Sequence, residues 1–134
     1  MLIGTIIETS YEFGNLRRVE FDCTAGSADA LFPAHVITAK IDGTVLELET
    51  IPGTTPAPSI YAITLTDAFG VDVLQGLGTA RSATVKERIP IVYATNLKRP
   101  IVDTHDTLTL NVTGNNVNSA TTKVILRYAL GAIG

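Results

Sequence analysis

The chain has no tryptophan, one cysteine (Cys23), one methionine and only 17% charged residues. Each shortage excludes something. A single thiol permits no internal disulfide framework and no multi-cysteine zinc site, so Cys23 reads as a small buried hydrophobe on a strand. With four Tyr, four Phe and no Trp, there is little aromatic surface on which sugars or unpaired bases could stack. Ten basic against thirteen acidic residues give a formal net charge of −3, without the basic footprint of a nucleic-acid-binding protein. No run approaches the ~20 apolar residues of a membrane span. The opening MLIGTIIETS lacks both the positive start and the long apolar core of a secretory signal. Neither nucleic acid nor membrane is therefore an expected partner, and the protein is expected to be made in a cytoplasm and to stay soluble there.

What the chain has in plenty is aliphatic and β-branched residues. Of its 134 residues 46% are hydrophobic and nineteen are threonine. That length suits one domain, residues 1–134, with a real core. So apolar a composition implies that other chains cover part of the surface. Helical periodicity is scarce, whereas period-2 alternation recurs as half-buried antiparallel strands require. In LRRVEFDC, Arg17, Val19, Phe21 and Cys23 share one face, while Leu16, Arg18, Glu20 and Asp22 share the other. Tyr61, Ile63 and Leu65 point one way, as do Leu108, Leu110 and Val112. In TTKVILRYAL, Val124, Leu126, Tyr128 and Leu130 oppose Lys123, Ile125, Arg127 and Ala129.

Asp42-Gly43 sits between two such runs and signals a type I′ hairpin, with Ile41 opposite Thr44, Ala39 opposite Leu46 and Ile37 opposite Leu48. The three prolines of IPGTTPAPS mark a long connection between sheets, and TGNNVNS marks a polar turn joining the last two strands. SATVKERI fits a strand or a short helical turn. Several short strands without an internal repeat predict an all-β fold, an antiparallel β-sandwich or small barrel. The N-terminal MLIGTII, with Ile3 and Ile6, is either an edge strand of that fold or an arm over residues 1–10 that adds to a neighbour's sheet.

The search for chemistry centres on TLTDAFGVDVLQGLGTARS, Thr64 to Ser82. GLGTAR begins like a dinucleotide fingerprint, but Arg81 stands where the third glycine belongs and no helical pattern follows. Asp67 and Asp72 flank Gly70, yet Ala68, Phe69 and Val71 occupy the intervening positions where a calcium loop needs oxygen ligands. The plainer reading is a strand ending at Thr66, a turn over Asp67–Gly70 and a short returning strand over 71–74. Asp103, His105 and Asp106 could form a metal pair or an acid–base couple, but no further ligand is spaced to complete a site, so they read as a polar lead into a strand. Glu47 and Glu49 read as solvated charges on a polar strand face, and His35 as an ordinary strand residue. No cofactor, metal or catalytic residue is expected.

The segment YAITLTDAFGVDVLQGLGTARS resembles one that recurs in small head proteins of tailed bacteriophages. Tyr61, Ile63, Thr64, Leu65, Asp67, Gly70, Asp72, Val73, Leu74, Gly76 and Arg81 carry the likeness, which covers about a sixth of the chain. The resemblance is to capsid decoration, or cement, proteins. It implies a jelly-roll-like all-β fold, a homotrimer and no catalysis. It also implies a place on the outer shell, against the major capsid protein. Asp67, Gly70, Asp72, Gly76 and Arg81, with Ile3 and Ile6, are then candidate turn and interface residues. The alternatives are a tail or adaptor component of the virion and a carbohydrate- or receptor-binding β-sandwich.

Overall fold

A computed structural model describes residues 3–59, 61–93, 97–103 and 106–130. Over these the chain forms nine β-strands and no helix. They are β1 (Thr5–Phe13), β2 (Leu16–Thr24), β3 (His35–Val36), β4 (Gly43–Pro52), β5 (Ala62–Thr66), β6 (Glu87–Pro90), β7 (Ile101–Val102), β8 (Thr109–Thr113) and β9 (Thr121–Leu130). One sheet has six strands in the order β1-β2-β9-β4-β6, with β7 also on β4, and the other runs β3-β8-β5. All pairings are antiparallel. This is an all-β sandwich in one small domain.

The alternation in sequence becomes the two faces of the large sheet. Val19, Phe21, Leu48, Val124 and Leu126 turn inward and meet Ile63, Leu65 and Leu110 of the small sheet in one continuous core. At ~25 cal/mol per Å², burying one such side chain contributes about 2 kcal/mol. The other face of the large sheet carries charges that neutralise one another. Lys123 reaches Glu20 at 3.4 Å and Asp22 at 3.6 Å. Arg127 reaches Glu49 at 2.6 Å and Glu47 at 3.1 Å. Arg88 joins the same two carboxylates from β6.

The hairpin expected at Asp42-Gly43 does not form. His35 and Val36 pair with β8 in the small sheet, whereas Gly43 begins β4 in the large one. The segment between them crosses the core edge and buries Ile37 and Ile41. Two long-range interactions outcompete the local turn. Strand β4 finds a ten-residue partner in β9, matching Glu47 to Arg127. The amides of Thr38 and Ala39, which a hairpin ladder would need, bond instead to the Glu8 carboxylate. The proline-rich stretch after β4 does connect the two sheets, as does the polar stretch between β8 and β9. In SATVKERI the Ser82 hydroxyl accepts the amides of Thr84 and Val85, and the strand begins only at Glu87.

Candidate functional site

The two aspartates in the Thr64–Ser82 stretch are directed at nearby backbone amides. The Asp67 carboxylate accepts the amides of Phe69 (2.9 Å) and Val71 (3.0 Å), and Gly70 closes the turn at φ 81°, a left-handed conformation that favours glycine. Asp72 Oδ1 accepts Leu65 N and Leu74 N, and its Oδ2 accepts Gly76 N, each at 3.0 Å. The expected returning strand shrinks to a single bridge, Thr66 to Asp72. Beyond it the chain winds through tight turns that lower Leu74 fully into the core. Asp72 causes this. By capturing the amides at 74 and 76 it curls the chain away from a ladder.

Gly78 then passes so close beneath β5 that a Cβ there would overlap the Ile63 carbonyl. Arg81 bonds the Thr79 carbonyl through Nε and Nη2 and lies 3.4 Å from Glu87. The five turn residues singled out in the sequence therefore act as architecture. The apolar groups they hold outward, Phe69 (91% exposed) and Val71, stand at the turn tip.

His105 lies outside the described residues. Asp106 accepts the amide of Asp103 at 3.0 Å and lines a groove of about 160 Å³ beside Ile37–Ile41. Among the described residues no three His, Cys, Asp or Glu side chains converge as metal ligands. Cys23 is buried, and loss of water around the sulfur, with Asp22 nearby, pushes its thiol up to about 12. It is a poor nucleophile there.

Strand β1 carries a row of exposed apolar side chains. Its only strand partner is β2, and among the described residues no other backbone bonds to it, so a nine-residue edge lies open. Ile7, Tyr11 and Phe13 project from its outer face, continued by Leu16 across the turn. The Arg18 guanidinium lies 4.9 Å from the Tyr11 ring centre and 5.6 Å from that of Phe13, holding both rings at the rim. Ile6 faces inward against the core, whereas Ile3 precedes the strand and is exposed. From Thr5 onward the N-terminal segment is thus an edge strand of the large sheet.

The anchor of β1 is a residue that sequence reasoning passed over. Glu8 sits on the inner face and receives His35 Nε2 at 2.8 Å, Thr38 Oγ1 at 2.8 Å, and the amides of Thr38 (2.9 Å) and Ala39 (2.7 Å). Burial works to raise its pKa, but these bonds outweigh that and hold the carboxyl below its ordinary value. One signal was available. A glutamate two residues from Ile6 places a charge on the strand's inward face, where only a bonded carboxylate is stable. His35 also meets the Phe21 ring edge-on at 5.9 Å.

No protein-family model, curated protein or solved structure matches the chain.

Proposed function

We propose that this protein is a non-catalytic virion component that decorates and stabilises the outer shell of a tailed-phage capsid as a homo-oligomer. The observation that carries the reading is the open β1 edge, with Ile7, Tyr11 and Phe13 exposed along it. Such an edge is a template for another protein, and a free-standing domain normally blunts it. The likeness of residues 61–81 to decoration proteins supplies the kind of assembly, and implies a trimer. The pairing of the outer-face charges among themselves favours protein contacts over electrostatic capture of a polyanion.

Such a protein needs only to bind the assembled lattice more tightly than its free subunits, because preferential binding stabilises whatever is bound. Many copies multiply a weak contact. The test is co-sedimentation with assembled shells of the cognate major capsid protein, with unassembled capsid subunits as the control. The expected result is binding to shells alone and a higher shell melting temperature. Binding to tail tubes or rings instead would move the protein to the tail or adaptor class. Binding to neither, with a hit on a glycan panel, would overturn the reading.

A further inference from the structure

We propose that β1 pairs with β1 of a second copy, antiparallel about a two-fold axis beside Thr9 and perpendicular to the sheet. The two six-stranded sheets then become one. This goes beyond the shell reading and stands whether or not that reading holds.

The occupant follows from the strand's own sequence. A two-fold axis perpendicular to the sheet keeps both outer faces on one side, so the numbers of opposed residues add to an even sum. Centring the axis on Thr9 engages all nine residues of β1. Ile7 then lies opposite Tyr11 of the second copy, Glu8 opposite Ser10, Ile6 opposite Glu12, Thr5 opposite Phe13, and Thr9 opposite itself. Phe13 is diagonal to Ile7 of the second copy, within reach of an aromatic ring. The side chains exposed in the single chain thus gather into one apolar cluster across the seam, and no two carboxylates oppose. Moving the axis to Glu8 sets Glu8 against Glu8, and moving it to Ser10 sets Glu8 against Glu12; opposed like charges destabilise both. Axes at Ile7 or Tyr11 shorten the overlap to five residues of the strand.

A ring of three needs β1 to meet a different strand, and the other edges are poorly made for it. Strand β6 has four residues and ends in Pro90, which has no amide hydrogen. Strands β3 and β7 have two residues each. The outer edge of β5 is taken by the chain itself, through Gly78, Asp72 and Arg81. The geometry therefore favours a two-fold dimer as the first association step, in place of the trimer that the resemblance implies.

The experiment combines solution mass with two cysteine variants. Across the axis the Cα atoms at position 9 would lie ~4.5 or ~5.5 Å apart, depending on the ladder position, and disulfides span both distances. At position 7 the two copies are offset by four residues, roughly 14 Å. The expected result is a two-chain particle by light scattering, with a covalent dimer in mild oxidant for Thr9→Cys and not for Ile7→Cys. Buried Cys23 contributes little background in either. In addition, Ile7→Lys is expected to give a single-chain particle with an unchanged circular dichroism spectrum. A wild-type monomer or trimer overturns the proposal, and so does equal cross-linking at both positions.

Discussion

Two sheet edges can be compared residue by residue, β5 in the small sheet and β1 in the large one. Along β5 the outward backbone groups are satisfied from within the chain. Ile63 N donates to the Gly78 carbonyl, Leu65 N to the Asp72 carboxylate, and the Tyr61 carbonyl accepts Arg81 N. Along β1 the described residues supply nothing equivalent, and Ile7, Tyr11 and Phe13 stand exposed on the same strand. The difference is one of loop sequence. The glycines and aspartates after β5 let the chain fold back tightly over its edge, whereas β1 leads through a two-residue turn straight into β2. Open edges invite partners, and this protein closes one and leaves the other.

Breaking the closed edge should have the largest effect. Leu74 is the fully buried plug of the segment that covers β5, and Leu74→Ala is expected to cost about 3 kcal/mol of unfolding free energy in urea titration. Asp72→Ala removes one carboxylate that accepts three amides, and should cost about 2 kcal/mol while making Cys23 no more reactive to a thiol reagent.

On the open edge, Glu8 sharpens the comparison because it ties β1 down without closing it. Its folded pKa lies below its ordinary value, so the stability it contributes is present above the unfolded carboxylate pKa of about 4.3 and is lost as pH falls through the folded value. Glu8→Gln should therefore cost about 1–2 kcal/mol at pH 7 and flatten the acid limb of the stability–pH curve. A variant curve that parallels wild type would remove Glu8 from the account. The smallest effect on stability is expected at the exposed rim. Phe13→Ser should change unfolding free energy by no more than about 0.5 kcal/mol, yet weaken self-association measured by dilution and light scattering. A large loss of stability would instead make Phe13 a core residue.

Much of this was legible in the chain. Alternation identified the inward faces of β2, β5, β8 and β9 correctly, because a strand with one buried face must repeat every two residues. The prolines of 52–58 marked a crossing between sheets, and the Asp67–Gly70 turn formed as its chemistry requires. Asp42-Gly43 misled, since turn propensity is a local preference worth little against an eight-pair ladder between β4 and β9. The strand expected over 71–74 was lost to the Asp72 carboxylate, whose bonds to amides at 65, 74 and 76 could not be read from alternation. The Glu8 anchor depends on partners about thirty residues away, and no local window contains them.

The sequence by itself determined the all-β class, the inward faces of β2, β5, β8 and β9, and the Asp67–Gly70 turn, because these follow from side-chain period and backbone conformation within a few residues. Only the tertiary structure decided which strand lies beside which, which edge is closed, and where Glu8 finds its amides. Those outcomes depend on competition between distant segments for the same hydrogen bonds and the same buried surface, and the longer, better-matched ladder wins.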